Sequence, residues 1–207
     1  MTESAPMVFV VDDDPSMLRA LERMLRTSGH SAEVYASPGA FLARPRYPGP
    51  ACLITDLRMP GMSGLELQQA LLASGYRIPI IFISGHGDIP TTVKAVKSVK
   101  AGAVDFLPKP FAREELLASV ESALRYHREA LAEQAANDER RSKFALLTPR
   151  EQEVCVLVGR GLLNKQIAAE LGAAEKTIKV HRARVMAKLA VGSVAELVDL
   201  LREIGER

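Results

Sequence analysis

The chain of 207 residues is 47% hydrophobic and 25% charged, with a formal net charge of +2, a balance that suits one large or two ordinary globular domains and excludes a disordered or fibrous chain. The longest unbroken apolar stretches, such as Ile80 to Ile83, are strand-sized, far short of the roughly 20 residues a membrane span needs. Met1 to Pro6 shows no basic region followed by an apolar one, so no secretory signal is expected and the protein is expected to stay in the cytoplasm.

The charge is unevenly spread. Residues 1 to 124 hold 12 Lys and Arg against 13 Asp and Glu, or −1, whereas Arg160 to Ala190 holds 7 against 2, or +5. Cys52 and Cys155 lie in separate apolar runs and read as buried free thiols of a reducing compartment rather than a disulfide.

In chain order, short β-branched runs alternate with helical patterns. Val8 to Val11, Ala32 to Tyr35, Cys52 to Thr55, Ile78 to Ile83 and Val104 to Leu107 predict five strands. Several are apolar at successive positions, as required when helices cover both faces of a parallel sheet, which predicts a doubly wound α/β domain. Between them, Pro15 to Ser28 places Met17, Leu18, Leu21, Met24 and Leu25 on one helical stripe closed by Gly29, and Gly64 to Leu72 repeats the pattern. A longer helix is predicted from near Arg113. Its Leu117, Val120, Leu124, His127 and Leu131 follow a coiled-coil-like spacing over barely two heptads. A helix packed on the first domain, with a charged extension to about Arg141 as linker, is the simpler expectation; a dimer seam is the alternative. From Leu147 onward only helical patterns occur, with turns at Gly159 to Gly161, Gly172 and Gly192. This predicts a small all-α domain, and no internal repeat of 20 to 50 residues is present.

In open α/β sheets, ligands sit beyond the carboxyl ends of the strands. There the sequence places Asp12, Asp13 and Asp14 after strand one, Asp56 after strand three, Ser84 after strand four and Lys109 after strand five. Taken singly, each has an ordinary structural role: Asp14 before Pro15 reads as a helix cap, and a lysine between prolines as a solvated loop residue. Together, carboxylates converging on one edge repel one another unless a cation neutralises them, and hard oxygen ligands suit Mg²⁺.

The strings Val11-Asp12-Asp13-Asp14, Asp56-Leu57-Arg58-Met59-Pro60-Gly61, Ser84-Gly85-His86-Gly87 and Asp105-Phe106-Leu107-Pro108-Lys109-Pro110 resemble those of response-regulator receiver domains over about residues 6 to 124. The resemblance implies that Asp56 is a phosphoacceptor. Asp12, Asp13 and Asp56 would hold Mg²⁺ with the Arg58 main-chain carbonyl, Ser84 and Lys109 would contact the phosphoryl group, and Phe106 would be a switch aromatic. It also implies a cis Lys109-Pro110 bond. Phosphoryl transfer to a carboxylate needs charge neutralisation and alignment, which a metal and a lysine supply. Drawing Ser84 toward Asp56 would free space for Phe106 to turn inward, altering the face formed by the fifth strand and the helices flanking it in sequence. One departure stands out: Val93 to Ala101 contains the near-repeat Val-Lys-Ala, Val-Lys-Ser, Val-Lys-Ala. The segment is about three residues longer than the family pattern, which amounts to about 4.5 Å of helix and about 300° of rotation. Lys94, Lys97 and Lys100 there read most simply as a solvated stripe.

In the last quarter, Thr148 and Pro149 predict a firm helix start. Asn164 to Leu171, a break at Gly172, and Lys176 to Leu189 predict a helix, turn and second helix, with Ile178, Val185 and Leu189 facing inward. Lys176, Lys179, Arg182, Arg184 and Lys188 make the second helix basic, fit for a major groove. Leu147-Thr148-Pro149-Arg150-Glu151, Asn164-Lys165-Gln166-Ile167-Ala168, Glu175-Lys176-Thr177-Ile178-Lys179-Val180-His181-Arg182 and Lys188-Leu189 resemble a LuxR/NarL-type helix-turn-helix from 147 to about 203. Paired with a receiver, they suggest the FixJ-like subgroup.

By that resemblance Lys179 and Val180 reach bases, Lys165, Lys176, Thr177 and Arg182 meet phosphate, and Asn164, His181, Arg184 and Lys188 complete the DNA-contacting set. A glycine and a basic residue expected near Ala190 to Val194 are missing. The last helix, Val194 to Ile204, matches the family's dimer surface, although Leu197, Val198 and Leu201 could equally serve the core.

The expected organisation is a receiver at 6–124, a helical linker at 125–143 and a DNA-binding domain at 144–207. The expected partners are a sensor histidine kinase, double-stranded DNA, a second copy of the chain and RNA polymerase, and no enzymatic turnover is expected. A Mg²⁺-dependent phosphotransferase or phosphatase is the alternative of another class, and DNA binding independent of phosphate a third.

Overall fold

The computed structural model of the protein describes residues 4–85 and 103–206. The segment from Lys94 to Lys100, its extra length and the helix expected between strands four and five lie outside the described residues. The chain forms two compact units, Met1–Leu131 and Ala132–Arg207.

The first unit is built on a five-stranded, wholly parallel sheet in the order β2-β1-β3-β4-β5, from β1 (Met7–Val11), β2 (Ser31–Tyr35), β3 (Ala51–Asp56), β4 (Ile80–Ser84) and β5 (Ala103–Pro108). Alternation along each strand feeds two cores. Val8, Val10, Cys52, Ile54, Ile81 and Ile83 pack with α1 (Pro15–Thr27) and α4 (Arg113–Ala145); Phe9, Leu53, Ile80 and Phe82 pack with α2 (Pro38–Leu42) and α3 (Gly64–Ala73). Both faces being covered explains why the strand sequences run apolar without a break.

Beyond shifts of a residue at strand ends, three features differ from expectation. β4 begins at Ile80 because Pro79 has no N–H to give a ladder, although its carbonyl accepts the Leu53 N–H at 2.9 Å. α2 was not foreseen: five residues containing Pro and Gly carry no periodic signal, yet the Ser37 side chain caps them by accepting the Ala40 N–H at 3.3 Å. α4 runs past Arg141 to Ala145. Its Val120, Leu124 and His127 are buried inside the first unit, so this stretch of the spacing serves packing there rather than a dimer seam. His127 Nδ1 accepts the Ala51 N–H at 2.9 Å, which requires a neutral ring nitrogen, and burial holds its pKa below the usual histidine value.

The second unit packs the end of α4 with α5 (Pro149–Gly159), α6 (Asn164–Glu170), α7 (Glu175–Leu189) and α8 (Val194–Ile204) around Val154, Val158, Ile167, Ile178, Val185, Leu189, Leu197 and Leu201. Both cysteines are free and buried, and burial pushes the Cys155 thiol up to about 12. The left-handed cap that ends α7 falls on Ala190, at φ 56°, in the stretch where the glycine expected by resemblance is missing. α5 starts with a capping box: Thr148 Oγ1 accepts the Glu151 N–H at 3.3 Å, and Glu151 Oε2 accepts the Thr148 N–H at 2.9 Å.

Lys188, which the resemblance puts in the DNA-contacting set, also has a partner within the domain. Its Nζ closes on the buried carboxylate of Glu151 at 2.6 Å, because a charge taken out of water needs a partner. Lys188 and Thr148 together hold the Glu151 carboxyl down at about 2. A depressed carboxyl adds stability that is present above its ordinary value of 4.5 and is lost as pH falls toward 2. Lys188→Met is expected to cost about 1–3 kcal/mol at neutral pH and to flatten the acid dependence between those two values, as measured by urea unfolding over a pH series.

Candidate functional site

At the carboxyl edge of the sheet, the ends of β1, β3, β4 and β5 deliver polar groups. Asp12 follows β1 and its side chain is only 3% exposed; its Oδ1 accepts the Asp14 N–H at 2.8 Å. Asp14 does cap α1, accepting the Ser16 N–H at 2.8 Å, while Asp13 is exposed. Asp56 closes β3 with a side chain 15% exposed, and its Oδ1 accepts the Arg58 N–H at 3.0 Å. Lys109 reaches back from the end of β5, and its Nζ lies 2.5 Å from Asp56 Oδ2 and 3.3 Å from Asp12 Oδ2. The Lys109-Pro110 bond is cis, and the Lys109 N–H donates to the Ser84 carbonyl at 2.6 Å. Ser84 is buried at the end of β4 with its hydroxyl donating to Gly85 O at 3.1 Å. Phe106 is half-buried against the core on the α2–α3 side.

The electrostatics follow from this crowding. Burial pushes the Asp12 carboxyl up and Asp56 adds to the rise, while the Asp14 N–H and Lys109 oppose it. Burial alone would pull Lys109 down, yet its bond to Asp56 and the charge of Asp12 hold its pKa above the usual lysine value. Carboxylate oxygens of Asp12, Asp13 and Asp56 all lie within 4.8 Å of one another. Three hard oxygen donors from separate loops at that spacing fit a small divalent cation, so this cluster could hold one.

A supporting residue was missed in the sequence. Gly64, the first residue of α3, donates its N–H to Leu57 O at 3.1 Å, and a Cβ there would run into the Asp56 main-chain oxygen. The available signal was a glycine directly after the Ser63 cap, eight residues beyond the candidate phosphoacceptor, where helix formation alone would prefer another residue.

In the second unit, α7 turns Ile178, Val185 and Leu189 inward and leaves Lys176, Thr177, Lys179, Val180 and Arg184 exposed. Val180, 45% exposed, is an apolar side chain in the midst of cations, a combination that suits a base methyl flanked by phosphates. Lys165 is exposed at the start of α6; His181 and Arg182 are half-buried. Arg182 Nη1 donates to Asn164 Oδ1 at 3.1 Å, fixing the two helices of the motif to each other.

Known proteins carry the same arrangement. The model of the response regulator receiver domain matches residues 8–121, and that of the luxR family of bacterial regulatory proteins matches residues 145–201. The response regulator protein TodT of Pseudomonas putida is 45% identical over 204 residues, covering 99% of this chain and 88% of TodT. The transcriptional regulatory protein FixJ of Bradyrhizobium diazoefficiens is 38% identical over 200 residues, covering 96% and 95%. The solved structure of the response regulator StyR has a TM-score of 0.81 at 48% identity, covering 97% of this chain and 100% of StyR.

Replacing Gly64 with alanine is expected to displace the β3–α3 loop and to lower stability by about 1–3 kcal/mol, the usual range for overpacking. Urea unfolding measures the loss, and a Gly64→Ala chain as stable as the natural one would show that the contact with Asp56 is not tight.

Proposed function

The chain belongs to the response regulators that join a receiver domain to a LuxR-type DNA-binding domain, and from that we propose how its residues divide the work. Asp56 is the phosphoacceptor: its carboxylate oxygen bonds the phosphorus of a phosphohistidine on a sensor kinase as the P–N bond breaks and the histidine ring leaves. The carboxylates of Asp12, Asp13 and Asp56, with the Arg58 main-chain carbonyl, would hold Mg²⁺. That ion, when bound, neutralises charge on the transferring phosphoryl oxygens. Lys109, already on Asp56, supplies further positive charge for the phosphoryl group, which brings up to about two negative charges to the site. The Arg58 N–H keeps one Asp56 oxygen fixed, Ser84 donates to the phosphoryl group, and Phe106 turns inward as Ser84 is drawn toward Asp56. The single observation that carries this reading is the bond from Lys109 to Asp56 beside the second carboxylate, Asp12.

Residues 125–143 form a helical linker, and the regulator works in the cytoplasm on double-stranded DNA. Lys179 and Val180 read bases, while Lys165, Lys176, Arg182 and Arg184 neutralise phosphates and the Thr177 hydroxyl donates to one. Lys188 is left out of this set because Glu151 engages it. Two copies occupy paired half-sites, and Val198, 39% exposed on α8 beside the buried Leu197 and Leu201, is the apolar group left for that contact.

Two measurements check the assignment. Asp56→Asn is expected to incorporate no phosphate from acetyl phosphate with Mg²⁺ present; incorporation equal to that of the natural chain contradicts the role of Asp56. Fluorescence anisotropy on a DNA fragment selected by the chain is expected to show Lys179→Ala losing about 1–3 kcal/mol with relaxed sequence preference, and Lys165→Ala weakening all sequences alike while lowering the salt slope by about 1.

A further inference from the structure

Asp105 and Phe106 are consecutive residues of β5, an edge strand, and alternation sends their side chains to opposite faces. Phe106 lies on the α2–α3 side, whereas Leu107 packs with α1 and α4; Asp105 shares the Leu107 side. Its carboxylate makes two bonds. Oδ1 accepts the main-chain N–H of Phe106 at 2.8 Å, and Oδ2 accepts the hydroxyl of Ser119 on α4. Ser119 is buried, and its hydroxyl has a second acceptor within reach, the Glu115 carbonyl one turn back at 3.1 Å. A serine hydroxyl carries one hydrogen, so the two acceptors compete for it, and the ionised carboxylate is the stronger.

We propose that Ser119 is a positioning residue for the phosphorylation switch. Through Asp105 it ties the main chain of Phe106 to α4 in the unphosphorylated protein, and it passes its hydrogen to the Glu115 carbonyl when Phe106 reorients. This role rests on the assignment of Phe106 as the switch aromatic. Release leaves no group stranded: Asp105 is exposed, so water satisfies its freed oxygen, and the buried hydroxyl keeps a partner. The two arrangements are therefore both satisfied, which is the requirement for an element that a distant charge can bias from one state to the other. The latch also gives the edge N–H of Phe106 an acceptor that moves with α4, so a change on one face of the sheet is felt on the other.

The test uses the full chain with Ser119→Ala, Ser119→Thr and Asp105→Asn, measuring phosphate incorporation and DNA affinity in the same samples before and after acetyl phosphate. Ser119→Ala is expected to bind DNA about tenfold more tightly than the natural chain before phosphorylation, the worth of one charge-assisted hydrogen bond. After phosphorylation the two are expected to bind equally. Ser119→Thr, which keeps the hydroxyl, restores the natural ratio, and Asp105→Asn, with a neutral acceptor, falls between. If Ser119→Ala lowers the thermal midpoint, Asp105→Asn, altered at an exposed side chain, carries the comparison. An unchanged affinity ratio in both variants, beside a natural chain that responds to phosphate, overturns the latch alone. A natural chain that incorporates phosphate without any change in DNA affinity overturns the switch reading and the latch with it.

Discussion

Like charges forced together at one edge of the sheet are the constraint on which the first unit turns. A pair of carboxylates about 4 Å apart repels by about 4 kcal/mol at the effective dielectric of a protein surface, and here three from two separate loops come within 4.8 Å. Lys109, 2.5 Å from Asp56 and 3.3 Å from Asp12, offsets part of that repulsion. A parallel sheet makes the gathering possible, since all its strands end at one edge. Gly64 lets α3 start against the Asp56 main chain, and the Arg58 N–H holds one of the Asp56 oxygens. What results is a cluster short of positive charge and therefore suited to a cation, which in turn would offset the negative charge that a phosphoryl group brings.

The second unit solves a different problem with similar means. α7 must bury Ile178, Val185 and Leu189 while leaving its cations free for DNA. One of those cations is engaged within the domain: Lys188 joins the end of α7 to the first turn of α5 through Glu151, which also caps that turn. The Asn164–Arg182 bond ties α7 to α6. Polar bonds thus set the pose of α7, the helix proposed to meet the bases, and the hydrophobic core beneath supplies the bulk of the stability.

Much of the fold and of the acidic edge is legible in the order of the amino acids. Parallel strands buried on both faces leave an unbroken apolar signature, so all five strands and the edge carrying Asp12, Asp13, Asp56, Ser84 and Lys109 can be placed from the chain alone. Caps are equally local, which is why Asp14, Thr148 and the Val194 start of α8 fall where expected. What escapes depends on distance in three dimensions. α2 is too short for periodicity; Pro79 shifts β4 because of a missing ladder donor; Gly64 matters through a neighbour's carbonyl. Lys188 looks like one more cation on a basic helix, and only its partner 37 positions away shows that it is engaged within the domain. The split roles of Leu197, Leu201 and Val198 likewise need the packed helices to separate core from surface.

The central claim, that acids from separate loops share one divalent cation beside Asp56, is tested most directly by calorimetric titration of Mg²⁺ into the full chain and into Asp13→Asn. Asp13 is exposed, so its change leaves the fold undisturbed while removing one donor. The account predicts a single site per chain in the natural protein and binding weakened by about tenfold or more in the variant, on the scale of one lost charged ligand. Equal Mg²⁺ affinity in the two proteins, or no saturable binding in either, would contradict it.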